Sequence, residues 1–301
     1  MQVELEKEEA VVPTESNKYN YTYTKNKRES NIDLIKTVLV LGMIFSHILD
    51  FFFDKHFLIT NYINLVSFSG FIFVFGYNAY NAYIKKEKIN IKKIIKNIFK
   101  LILVFYVSGF FYDFFIQRNY KISNYINILC FLRLPGYSEF LVTFSLLNLF
   151  ILVFRNKLRK ISQKNNYILI CIVISLLFTI IPPVEIYIPW INLILKTRSI
   201  SFPLLPYLNL FFIGMYIAKN KPKFNVRMLL ILFIMWYIHL IMFLFNLEIR
   251  FPVSLTYIIG SYLYLFLYYH ISTYVCMKIK SEKAKKILTV VRKKQFNFFV
   301  D

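Results

Sequence analysis

The sequence predicts an all-α polytopic membrane helix bundle of about eight transmembrane helices with both termini cytoplasmic, and three observations predict it. The chain is 57% hydrophobic and 18% charged with a mean hydropathy of +0.52, whereas soluble domains average about 45–50% apolar and about 25% charged. Its apolar residues gather in stretches close to the roughly 20 positions a helix needs to cross a bilayer core of about 30 Å. Its basic residues fall between those stretches in alternating density, the pattern of short loops on the cytoplasmic face.

Residues 1–30 begin MQVELEKEEA and hold no apolar run, which speaks against a cleavable leader and for a disordered cytosolic tail. A multi-span domain is expected over 31–277, with spans near 34–53, 60–83, 98–117, 137–154, 167–184, 203–218, 228–247 and 254–276. Pro203 and Pro206 predict a kinked or partly re-entrant start to the short sixth span. Residues 278–301 end in KKILTVVRKKQFNFFVD, too short and too basic to cross; they read as a basic cytosolic tail or as an incomplete last span. No repeat at a fixed period is visible, which disfavours the inverted-repeat plan of many transporters.

The 37 Lys and Arg against 16 Asp and Glu leave a net charge of +21. Of the 37, 29 lie in the tail, in the second-to-third, fourth-to-fifth and sixth-to-seventh connections, and in the C-terminal segment; only seven lie in the alternate connections. The excess therefore expresses topology and contact with anionic lipids. No continuous basic face remains to suggest nucleic acid. Cys130, Cys171 and Cys276 show neither zinc spacing nor a disulfide framework, so no metal is expected, and they read as small apolar residues.

An ionisable group inside a span costs about 2.5–3.5 kcal/mol on insertion scales and so requires a partner, a cavity or a function. The first span, NIDLIKTVLVLGMIFSHILDFFF, is the richest, with Asp33, Lys36, His47 and Asp50. At 100° per residue Lys36 and His47 point within about 20° of each other, about 16 Å apart along the axis. Asp50 lies one turn beyond His47, where its carboxylate would orient the imidazole. A purely structural account remains open, in which Lys36 snorkels to the headgroups, His47 bonds a neighbouring helix and Asp50 ends the span. His239 and His270, with no acidic neighbour within a turn, are expected to make structural hydrogen bonds, and His56 to be solvated.

The second connection, YIKKEKINIKKIIKNIFKLILVFY, places Lys85, Lys86, Lys88 and Lys92 ahead of the third span. Lys93, Lys96 and Lys100 recur at helical spacing and form a cationic ridge, suited to the phosphates of a cytosolic cofactor or to lipid headgroups. The HExxH and GxSxG patterns are absent, leaving metal hydrolysis and serine-nucleophile chemistry without support.

The run Asp33-Leu34-Ile35-Lys36, followed by ten residues and then His47, resembles the opening helix of the acyltransferase-3 family of integral-membrane acyltransferases. SFSGFIFVFGY at 67–77 is similar to the family's apolar Ser-Gly-Phe helix, and PLLPYLNLFFIGMYIAK at 203–219 to a later one. The lysine ridge stands where members carry paired arginines. The membrane N-acetyltransferases that act on glucosamine share the basic-ten-histidine spacing and resemble this chain at that helix as well.

The resemblance implies a cell-membrane enzyme with acyl-CoA, in the first place acetyl-CoA, as cytosolic donor. Its phosphates would lie on Lys93, Lys96 and Lys100, with Lys36 assisting from the inner side. His47, supported by Asp50, would act as general base or transient acyl carrier. Glu139, at the outer start of the fourth span, becomes a candidate acceptor contact or second acid–base group, or else a helix-terminal charge. The acceptor implied is a hydroxyl or amine of a glycan or another envelope molecule. Ser69 and Gly70 read as close-packing positions. The lysines in place of arginines weaken bidentate phosphate recognition, and members usually have about ten spans. A small-molecule or lipid-linked-glycan transporter, with His47 carrying protons, and an inactive truncated membrane partner are the alternatives.

Overall fold

The computed structural model describes residues 30–52, 58–135, 138–184, 189–198, 200–245, 251 and 253–278, among which every regular element is helical. An apolar helix forms at each of the eight positions where the sequence places a span. In chain order these are α1 (Ser30–Phe52), α2 (Leu58–Ala79, continued by a π-helical turn at Tyr80–Ile84) and α3 (Ile91–Phe111, likewise continued at Tyr112–Ile116). After the short α4 (Ile122–Leu129) come α5 (Glu139–Gln163) and α6 (Asn165–Ile180). The single turn α7 (Pro189–Asn192) precedes α8 (Leu204–Asn220), α9 (Val226–Leu244) and α10 (Leu255–Lys278). Five of these, α1, α2 with its π turn, α3 with its own, α5 and α9, are long and apolar enough to cross a membrane. The chain is a membrane protein.

The centre of the bundle is the crossing of α2 and α8, with α6 packed on α8, α3 on α5, α9 on α10, and α10 closing on α2. Two glycines set the α2–α8 distance. Gly76 faces the Phe211 carbonyl and Gly214 faces the Phe73 carbonyl so closely that a Cβ at either position would fall inside the partner's backbone. This is the close approach small residues permit between membrane helices. Around the crossing, Phe68 packs edge-on against Tyr207 and Phe144 and tilts against Phe202.

Pro203 and Pro206 stand at the start of α8, the place where the sequence expects a kinked or partly re-entrant entry. Pro203 is the extended N-cap residue and Pro206 sits in the first turn, where a missing N–H removes no intrahelical bond. The first amides of α8 are instead satisfied from outside, Leu204 donating to the Leu193 carbonyl and Leu205 to that of Ile194, each at 3.0 Å.

Polar side chains tie the helix ends. At the end carrying the 85–100 lysines, Arg155 of α5 donates to the carbonyls of Tyr83 (3.2 Å), Lys86 (2.6 Å) and Glu87 (2.7 Å), and Lys219 donates to that of Gln163 (2.9 Å). At the opposite end Arg133 pairs with the fully buried Asp113 at 2.5 Å. There too, Lys196 donates to the Thr179 carbonyl in the last turn of α6 at 2.7 Å, and partial burial pushes its ammonium pKa down.

Candidate functional site

Helix α1 is where the sequence concentrates ionisable groups, and its packing decides which way they point. Ile32, Ile35, Leu39 and Ser46 are buried, and with Gly42 they follow steps of three and four along one face. That seam meets α2, where Leu39 lies on Gly70 and Gly42 touches Ile63. Ser46 Oγ donates to Asn64 Oδ1 at 3.3 Å. The seam also meets α10, where Asn31 Nδ2 donates to Thr273 Oγ1 at 2.9 Å. Val38, Leu41, Ile44, Phe45 and Ile48 on the far side are exposed, as befits residues solvated by lipid tails.

Lys36 and His47 run along the border between these faces, each about 100° round the helix from its buried neighbour, Ile35 or Ser46. Near the lysine-rich end the border is closed. Lys36 Nζ lies 3.6 Å from Asp33 Oδ1, and their side chains are only 17% and 13% exposed. Farther along, His47 is exposed. Asp50 falls within α1, one turn on; its side chain lies outside the described residues, as does His56.

The lysine ridge is built as the spacing predicts. Asn90 caps α3, its Oδ1 accepting from the Lys93 amide at 3.2 Å. Ile94, Asn97, Leu101, Phe105 and Gly109 form its buried face. Lys93, Lys96 and Lys100 then share a sector of about 60° beside that face, with Lys96 exposed and the other two half-buried. Ridge and stripe are not built on the same neighbours. The principal partners of α3 are α4 and α5, whereas α1 rests on α2 and α10.

Glu139 starts α5 and is buried. Its Oε1 accepts from the amides of Ser201 (2.5 Å) and Phe202 (3.1 Å), so the carboxylate clamps the loop that leads into α8. Ser69 is fully buried. His239 is buried against Gly260, with Nδ1 donating to the Thr256 carbonyl at 3.1 Å, and the ring of His270 packs edge-on against Phe266, Phe224 and Tyr269. The three cysteines are free, Cys130 exposed and the other two partly buried.

Cavities among the described residues flank this framework, two of them at opposite ends. The smaller, about 270 Å³, lies toward the opposite end between α2, α9 and α10, lined among others by Asn61, Asn64, Trp236, His239 and Tyr257. Its groups are held in place: Tyr257 donates to the Asn64 carbonyl at 2.9 Å and the Trp236 indole to the Tyr264 hydroxyl at 2.7 Å. Through Asn64 and Ser46 it adjoins the residue next to His47. Of these groups sequence reasoning named only His239; the available signal for the rest was Asn61 and Asn64, two amides one turn apart inside an apolar span. The larger cavity, about 1050 Å³, lies between α6, α8, α9 and α10. His47 lines neither of them.

A family model described as an acyltransferase domain, that of the acyltransferase-3 family, matches residues 29–292. No curated protein and no solved structure matches the chain.

Proposed function

The chain belongs to the acyltransferase-3 family, and on that premise we propose that it is a cell-membrane acyltransferase moving an acetyl group from cytosolic acetyl-CoA to a hydroxyl or amine of an envelope glycan. All eight long helices cross the membrane in this reading, with both termini and the lysine-rich end in the cytoplasm, as the distribution of Lys and Arg requires.

The observation that supports it most is the polar border of α1. The Asp33–Lys36 pair closes its cytoplasmic part, and His47 stands about 16 Å farther along the same line. Lys93, Lys96 and Lys100 attract the donor's phosphates from the cytoplasm, and Lys36 balances charge where the acyl arm enters. His47 acts at the thioester. As general base its imidazole takes the acceptor O–H proton while the oxygen attacks the carbonyl carbon. The C–S bond then breaks, and the imidazolium returns the proton to the departing thiolate. An imidazole can take up a proton and give it back in turn, and Asp50 holds the ring in orientation. Glu139 is the candidate second acid–base group or acceptor contact, from the side at which the acceptor arrives.

The test is transfer from labelled acetyl-CoA by the full chain in detergent. His47→Ala is expected to lower turnover by about 10²–10⁴-fold, the usual contribution of a positioned general base, in protein that still gives a monodisperse peak and a cooperative thermal transition. Turnover within tenfold of wild type would overturn the assignment of His47. Transport into proteoliposomes that survives the same substitution would replace the enzyme by a transporter.

A further inference from the structure

The larger cavity takes no part in acyl transfer as proposed above, and its chemistry points elsewhere. At about 1050 Å³ it stands at the upper end of ligand pockets, which run from about 300 to 1,000 Å³. It exists because α6 follows α8 while α9 follows α10, leaving a wedge between α6 and α9. Leu169, Ile172, Ile217, Ile231, Met235 and Leu265 are among its walls. From Val226 to Met235 the α9 wall runs about 14 Å, close to half of a hydrocarbon core about 30 Å thick. The wedge is thus as deep as one leaflet.

Its mouth is polar and of one sign. Lys223, Asn225 and Arg227 line it together with the N-terminal turn of α9, and no Asp or Glu is among the lining residues. Lys223 and Arg227 are exposed and make no ion pair among the described residues. Asn225 caps α9 by accepting from the Arg227 amide at 2.9 Å, so the positive pole of that helix faces the same opening. Two cations and a helix N-terminus above a leaflet-deep apolar slot match one phosphate carrying hydrocarbon chains.

We infer that this wedge binds one anionic diacyl phospholipid of the leaflet at the lysine-rich end. Lys223 and Arg227 hold its phosphate, and its chains lie between α6, α8, α9 and α10. An acyl-CoA shares the phosphate and the chain, but its nucleotide base and ribose require polar partners that this rim, with one asparagine, does not supply. The lipid completes the contact that α9 lacks toward α6, and the inference stands or falls independently of His47.

Native mass spectrometry of the delipidated full chain, titrated with phosphatidylglycerol, phosphatidylcholine of the same chains, or palmitoyl-CoA, tests it. One phosphatidylglycerol is expected to stay bound, in preference to phosphatidylcholine. Lys223→Gln with Arg227→Gln should weaken its retention about thirty-fold, the effect of removing two cations near a membrane surface. Met235→Trp, which fills the wedge, should weaken it with the charges intact; if that variant does not fold, the exposed charge pair still decides. Equal retention by the Gln variant, equal retention of phosphatidylcholine, or displacement by palmitoyl-CoA at matching concentration would each overturn the inference.

Discussion

The crossing of α2 and α8 and the flank formed by α1 are built on opposite plans. At the crossing, glycines on both helices admit the partner's backbone, and roughly half of the α2 span is buried. The flank helix α1 buries one narrow seam and exposes most of its surface, yet it carries Asp33, Lys36 and His47. Rigidity and chemistry are thus separated. The central pair holds the fold, and the groups proposed to react sit on a helix with an exposed outer edge.

The largest expected effect would break the crossing. Gly76→Leu places a side chain where the Phe211 carbonyl stands, and backbone cannot swing aside as a side chain does. Overpacking usually costs about 1–3 kcal/mol, and a clash with backbone belongs at or above the top of that range. With total stability of about 5–15 kcal/mol in typical domains, the variant should lose its monodisperse peak in detergent at modest temperature. Gly70→Ala is the contrast, because the atoms nearest its Cβ belong to the Leu39 side chain, which can shift where backbone cannot. Equal damage from both would show that the crossing is not what holds the bundle.

How much of this was legible in the sequence follows from what each feature depends on. The positions of the long helices depend on apolar run length, a local property, and an apolar helix forms at each of the eight. Their ends were less legible. Helix α5 continues to Gln163, well past the expected 154, because Arg155 and Arg159 are held by the 83–87 turn. The short α4, between α3 and α5, gave no signal of a span and was not foreseen. Within α1, the angle between Lys36 and His47 could be computed from the sequence alone. What packs against the buried seam beside them could not, because Asn64 and Gly70 come from α2 and Thr273 from α10. The wedge was invisible for the same reason: α2 and α6 come to the consecutive helices α8, α9 and α10 only in the fold.

A middle-sized effect sharpens the comparison at Glu139, which belongs to the rigid part by position and to the reactive part by its candidate role. Glu139→Ala removes the acceptor of the Ser201 and Phe202 amides. Bonds to a charged group are worth about 1.5–3 kcal/mol each, less where water reaches the freed amides, so a loss of about 2 kcal/mol is expected in thermal unfolding. Glu139→Gln keeps an acceptor oxygen and should recover much of it. If Gln restores both stability and acetyl transfer, the residue is a clamp. If stability returns while turnover stays low, the carboxyl group takes part in the chemistry.

The smallest effect is expected where the polar contacts are most exposed. Glu87 pairs with Arg159 at 2.9 Å, but its side chain is 83% exposed, and such pairs contribute about 0–1 kcal/mol. Glu87→Gln should therefore leave the unfolding temperature nearly unchanged. Arg155, a turn away on α5, holds the same stretch through the carbonyls of Tyr83, Lys86 and Glu87, contacts that no side-chain change at 87 removes. Should Glu87→Gln destabilise the protein as much as Glu139→Ala, the helix ends would carry stability now assigned to the glycine crossing. The central pair would then be a spacer between polar ends that do the holding.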